Sequence, residues 1–276
     1  MTAPAAAQDR SYLLGTHDQE IERLGLQHRV WRPKVLEAWR RAGITVGSAV
    51  VDAGAGPGWA TLDLAEIVGP EGRVHALERS ERFLAHLEGA LATRRLGNVS
   101  AANLDLVTDP LPASGVDAFW IRWVLAFVGD AETVLKKLAA TLKPGGVAVI
   151  HEYLDYDVWG FAPRRPALEA FRKFKMDDWR QAGGEPDIGR SLPDLLPRCG
   201  LKIRELRPMV EAVRPGDFFW QWPRAFLDTY PQHLADEGKV DQAFADRVTQ
   251  ELREAEADPQ TVMITPLVLE VIAEKV

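Results

Sequence analysis

The chain has 276 residues, 46% hydrophobic and 26% charged, so it can bury a sizeable core, and nothing after the small-residue start MTAPAAAQ is biased toward disorder. Its formal net charge of −7 argues against a nucleic-acid partner, which would call for a basic face; the densest basic stretch, Phe161 to Lys175, reads as the solvated side of one helix. The single cysteine, Cys199, excludes an intrachain disulfide, and no apolar run reaches the roughly 20 residues of a membrane span, so the expectation is a cytoplasmic protein without a membrane partner.

Residues 1–10 read as a flexible start. DQEIERLGLQHRVWRPKVLEAWRRAGI reads as two helices broken at Pro33, a helical lid over residues 11–45. From Gly47 onward short β-rich runs alternate with helical patterns, the signature of a parallel sheet with crossover helices. The strands are AVVDA (49–53), RVHALE (73–78), VSAANL (99–104), VDAFWIR (116–122) and VAVIHEY (147–153), and WATLDLAEIV, ERFLAHLEGALATRRL and DAETVLKKLAATL are the helices between them. LKPGG stops the last of these helices. Residues 46–153 therefore form the α/β core, and the aromatic, helical segment 154–200 a cap inserted after the fifth strand. LKIRELRP starts a sixth strand near Leu201, VDQAFADRVTQELREAEA is helical, and TVMITPLVLEVIAEKV ends the chain as a strand bent at Pro266, stitched into the sheet edge. The fold class is α/β: a Rossmann-like, doubly wound, mostly parallel seven-stranded sheet in a single domain over 11–276.

Directly after the first strand stands DAGAGPGW, with glycines at 54, 56 and 58. A P-loop requires Lys and Ser/Thr after its last glycine, and neither is present. The dinucleotide fingerprint needs a third glycine where Trp59 or Thr61 stands, depending on the glycine counted from. Asp52, two residues before Gly54, would also repel a pyrophosphate and attract a cation. Twenty residues after Gly58, Glu78 ends the second strand, where an acid can accept both hydroxyls of a ribose. Ribose with a cationic or zwitterionic tail and no phosphate describes S-adenosylmethionine.

VVDAGAGPG, HALERSERFL, ANLDLVTDPLP, FWIRWVLAFVGDAETVLKKLAATLKPGG and VAVIHEY, in that order, resemble the successive motifs of class I S-adenosylmethionine-dependent methyltransferases. SYLLGTHDQEIERLGLQHRVW and GGEPDIGRSLPDLL resemble the branch acting on small molecules. The resemblance implies that Gly54, Gly56 and Gly58 face the methionine part of the cofactor, with Asp52 supporting its amine side. It implies Glu78 at the ribose, Arg79 beside the adenine, and Leu104 and Asp105 at the adenine ring. Arg122 would border the sulfonium, and Tyr12, Gln27 and Trp31 would fold over the methionine end. S-adenosylhomocysteine is the implied product. Taken singly, Asp52 also fits a helix N-terminal acid, Glu78 a solvated strand end and Asp105 an Asx turn.

His151, Glu152 and Tyr153 end the fifth strand as candidates for base or substrate contact, Glu152 on one face and His151 with Tyr153 on the other, one face meeting the cleft. His151 and Tyr153 are the candidate catalytic residues, histidine being suited to proton removal near neutral pH. His17 and His28 flank the N-terminal motif as lesser candidates; His75, His86 and His233 are less promising. No metal is expected: Arg122 stands where metal-dependent catechol methylases need an acid, and Asp155 with Asp157 makes a poor site. The N-P-P-[YF] motif of base-amine methylases is absent. Trp159, Trp179, Trp220 and Trp222 either line a hydrophobic acceptor site or pack the cap. The expected function is methyl transfer to an O, N or C atom of a small aromatic or apolar metabolite; the alternatives are non-methylating chemistry on the same fold, or cofactor binding without catalysis. The sequence leaves oligomeric state open.

Overall fold

The computed structural model describes residues 18–276; the Tyr12 assignment, like His17, lies outside the described residues. Helix α1 (Asp18–Ala42) is continuous through Pro33, which corrects the expected break. Proline removes one helical hydrogen bond, but burial of Trp31, Val35, Ala38 and Trp39 on the inner face holds the turn, with Trp39 edge-on to Trp120 at 5.3 Å.

β1 (Ala49–Ala53), β2 (Arg73–Glu78), β3 (Val99–Asn103), β4 (Val116–Arg122) and β5 (Leu142–Asp155) are parallel, with α2 (Trp59–Val68), α3 (Glu81–Arg94) and α4 (Ala131–Thr141) as crossovers. Side-chain caps start two of these helices: Ser80 accepts the Phe83 amide, and Asp130 accepts that of Thr133. With β7 (Leu201–Met209) and β10 (Leu267–Lys275) the sheet order is β3-β2-β1-β4-β5-β10-β7. The chain winds outward from β1 to β3 and then returns to β4 on the other side of β1. That reversal opens a crevice at the carboxyl ends of β1 and β4.

The C-terminal strand is not at the sheet edge as expected. β10 runs antiparallel between β5 and β7, and β7 is the edge. The reason is hydrophobic pattern: Val268 to Ala273 are buried on both faces, whereas LKIRELRPM alternates with exposed polar groups and tolerates an open side.

The cap, expected over 154–200, is assembled from two stretches. β6 (Gly160–Ala162) and α5 (Pro166–Gln181) come from the first, whose last helix, α6 (Leu192–Arg198), instead packs against the edge strand β7. The second supplies β8 (Ala212–Val213), α7 (Gln221–Leu227), α8 (Tyr230–Asp236), α9 (Gln242–Ala257) and β9 (Val262–Ile264). A small antiparallel sheet, β6-β9-β8, joins them.

Gly58, the residue before α2, has φ +90°, and a Cβ there would lie 2.4 Å from Leu87 Cδ1 on α3. Gly58→Ala is therefore expected to destabilise the fold by about 2–4 kcal/mol, combining left-handed strain with overpacking. Urea denaturation checks this; an unchanged midpoint would mean that the turn does not rest on α3.

Candidate cofactor and acceptor site

A cavity of about 1590 Å³, counting its open mouth, lies over the carboxyl ends of β1 to β4 and under the cap. The three glycines that follow β1 serve it differently. Gly54, φ +70°, must be bare because a Cβ would strike Val124 at 2.4 Å. Gly56, φ +57°, has nothing within 4 Å of a built Cβ and lines the cavity, so its main chain is open to a ligand. Gly58 packs on α3 and is not among the lining residues, contrary to its expected ligand contact.

Glu78 is buried and lines the cavity. Its carboxylate accepts the Gly56 amide at 2.9 Å on one oxygen and the Arg79 and Ser80 amides at 2.9 and 2.8 Å on the other. Burial nonetheless holds its pKa above the usual carboxylate value. Asp52 is also buried at the cavity wall; desolvation raises its pKa to about 6, opposed by a 2.6 Å bond from Thr61 Oγ1 and by the charge of Arg122. Asp105 forms the Asx turn that its sequence context allowed, its Oδ1 accepting the Val107 amide at 2.7 Å, and it lines the cavity beside Leu104. Arg79 completes this rim.

Arg122 is half-buried at the end of β4, set over the rings of Trp120 and Trp123. Desolvation lowers its pKa to about 10, with Asp52 pulling the other way. It donates to His28 Nδ1 at 3.1 Å. Because arginine only donates, the His28 proton sits on Nε2, which faces Asp63 at 3.1 Å. His28 is thus a buried strut holding Arg122, and not a cavity-lining group. Gln27 does line the cavity, accepting from Trp222 Nε1 at 3.2 Å and tying α1 to the cap.

The floor between the two walls is strained. Trp123 has φ +51°, a region aromatic residues rarely occupy. Its amide donates to the His151 carbonyl, and the next two amides, of Val124 and Leu125, donate to Glu152 Oε1 at 2.9 and 2.7 Å. Burial raises the Glu152 pKa to about 8 against those bonds. The sequence placed Glu152 with His151 and Tyr153 at the strand end as a possible base or substrate contact; its service to the Trp123 loop, far away in sequence, gave no signal there.

Above the floor the lining turns aromatic: Trp123, Phe127, Tyr153, Tyr156, Trp159, Trp179, Trp222 and Phe226. Trp123 lies nearly parallel to both Tyr153 and Trp222, 5.4 Å from each. Three of the four tryptophans singled out in the cap line this half; Trp220 instead packs inward and bonds Glu256. Lys175 also lines it, buried on α5, although its segment read as solvated.

Two further expectations are corrected. His151 is fully buried and does not reach the cavity: it bonds Glu270 Oε2 at 3.0 Å and packs under Trp120 and Trp31, because β10 brings Glu270 alongside it. Trp31 lies behind the lining, edge-on to Trp123 and Trp222, and supports those rings without facing a ligand. Tyr153 is the candidate from β5 that does face the cavity, its hydroxyl pKa raised well above normal by burial. Among the described residues no group of three or more His, Cys, Asp or Glu could hold a metal ion, and no helix is long and apolar enough to cross a membrane.

Switch-point crevice, lysine-free glycine turn and strand-end acids define a Rossmann-like domain for a nucleoside ligand with a cationic tail. Residues 50–146 match the family described as methyltransferase domain. The demethylmenaquinone methyltransferase of Geobacillus stearothermophilus is 35% identical over 135 residues, 49% of this chain and 56% of that protein, so the match spans just over half of that relative. The Bacillus licheniformis demethylmenaquinone methyltransferase is 27% identical over 71% of this chain and 87% of its own length. Among solved structures, Haemonchus contortus phosphoethanolamine N-methyltransferase 2 in complex with S-adenosyl-L-methionine aligns with TM-score 0.57 at 17% identity, covering 91% of this chain and 56% of that one. The 4+2 cyclase SpnF aligns with TM-score 0.56 at 18% identity over 86% of this chain and 79% of its own. The chain thus carries a methyltransferase domain over residues 50–146, on a Rossmann-like sheet.

Glu152 gives a signed pH effect. The folded chain keeps its proton up to about pH 8, while the unfolded chain releases it near the ordinary glutamate value, so this group's stabilising contribution is complete at acid pH and is lost as pH rises through that window. The stability of Glu152→Gln relative to the parent should therefore rise between pH 5 and 8 by at most about 1.4 kcal/mol per unit. Thermal melts across that range measure the difference; a flat difference would mean that Glu152 is ionised in the fold.

Proposed function

We propose that the chain transfers a methyl group from S-adenosylmethionine to a small, flat, largely apolar metabolite. The observation that carries this reading is one cavity with two dissimilar halves, strand-end acids with an open glycine turn below and aromatic rings above. The likeness of the core to methyltransferases named for demethylmenaquinone supports a quinone-like acceptor. The site fits the cofactor: bare main chain at Gly56 would take its methionine part, Asp52 its amine side, and Glu78 its ribose. Leu104, Asp105 and Arg79 would border the adenine.

When bound, S-adenosylmethionine supplies a sulfonium methyl for in-line displacement, leaving S-adenosylhomocysteine. The protein's part is positioning and dryness. Trp123, Tyr153 and Trp222 form a wall against which a flat acceptor can lie, and their burial keeps water from competing with it. Charge disperses as the methyl leaves the sulfonium, so a water-poor pocket favours the transition state.

Incubation with methyl-labelled S-adenosylmethionine and a panel of reduced quinones and phenols tests the reading. Label in the acceptor is expected; acceptor turnover without label would replace methyl transfer with another chemistry on the same fold. Glu78→Ala should weaken S-adenosylhomocysteine binding by about 1.5–3 kcal/mol, the range for hydrogen bonds with a charged partner. Unchanged affinity in calorimetry would remove Glu78 from the ribose site.

A further inference from the structure

The acids that line the cavity among the described residues, Asp52, Glu78 and Asp105, all stand at the strand ends. Among the described residues the aromatic half has no lining acid, and into it α5 places an ammonium, Lys175, buried to 2% exposure. Burying an ammonium among rings is costly unless it is paired. Its immediate partners are Asp178 at 3.1 Å and the hydroxyl of Tyr230. Asp178 is shared, since Lys239 also reaches it at 3.2 Å and bonds Glu237 as well. The charged groups around Lys175 are thus Asp178, Glu237 and Lys239, with Tyr230 beside them, and half the anionic charge there answers a second ammonium.

The other cations at the cavity are committed elsewhere. Arg23 is clamped on both oxygens of Glu20, Arg122 is set over Trp120 and Trp123 opposite Asp52, and Arg79 lies at the strand-end rim. An ammonium has three N–H groups, and Asp178 with Tyr230 engages two.

Resting on the function proposed above, we infer that Lys175 binds the acceptor's acidic hydroxyl as its oxyanion, which narrows the acceptor to a ring-borne phenol, quinol or enol. The hydroxyl proton passes to bulk water as the anion binds, and the Lys175 N–H donates to the resulting oxygen. The cavity is then polarised along its length, with acids facing the cationic cofactor and an ammonium facing the anionic acceptor; the ammonium favours the ionised acceptor, whose oxygen is a stronger nucleophile than the neutral hydroxyl. Burial lowers the Lys175 pKa to about 8, opposed by Asp178, so the ammonium is the main form at neutral pH and an incoming anion favours it further.

The test uses 4-nitro-1-naphthol, whose anion absorbs in the visible, titrated with pH on the full chain saturated with S-adenosylhomocysteine. On the parent and on Lys175→Arg, the bound probe should ionise about one pH unit or more below the free probe, the range for a neighbouring opposite charge. On Lys175→Met that shift should vanish, while 1-methoxy-4-nitronaphthalene, which has no proton to lose, binds parent and variant within about twofold. Lys175→Gln is read instead if the methionine variant fails to hold S-adenosylhomocysteine. An undiminished shift without the ammonium, or a parent that holds S-adenosylhomocysteine but neither binds nor ionises the naphthol, overturns the role of Lys175. A parent that fails to bind S-adenosylhomocysteine overturns the cofactor reading on which it rests.

Discussion

The Gly56 amide donates to the Glu78 carboxylate across the junction of β1 and β2, and the cofactor half of the cavity takes its form from that bond. The amides of Gly54 and Ala55 meanwhile donate to the Leu77 carbonyl, so the whole turn is fastened to the end of β2. A buried carboxylate is tolerable there because three amides share its charge. A second buried acid, protonated at neutral pH, organises the opposite wall, where Glu152 gathers the Val124 and Leu125 amides and holds Trp123 in its left-handed conformation. Val124 then closes on Gly54, so the two acid-anchored loops meet.

This construction leaves a crevice with fixed polarity. The carboxylates favour a cation below, and Arg122, held by His28 and Asp63 and set over two indoles, separates that end from the aromatic half. Trp31, behind Trp123 and Trp222, couples the long first helix to the cavity wall. Substitutions on α1 should therefore be felt in the site even at residues that touch no ligand.

Much of the core was legible in the sequence because local and tertiary signals agree there. AVVDA, RVHALE and VDAFWIR are strands at the residues read, since buried parallel strands are continuous apolar runs bounded by turns. Asp52, Glu78, Leu104, Asp105 and Arg122 come together as their strand-end positions required. What failed depended on partners distant in sequence. Pro33 reads as a break until the burial of Trp31 and Trp39 is counted. His151 looks available until β10 supplies Glu270. Lys175 looks solvated until α8 brings Tyr230 over it. The cap escaped a full reading because seven-residue helices and a two-residue strand are too short to display a period.

The central claim is that the crevice between β1 and β4 takes a phosphate-free, cationic nucleoside. Calorimetric titration of the purified chain with S-adenosylmethionine and S-adenosylhomocysteine, with NADH as control, tests it most directly. One-to-one binding of the first two with no heat from NADH is the predicted result. Protein shown to be free of carried-over cofactor that binds neither, or that binds NADH as well as it binds S-adenosylmethionine, would contradict it.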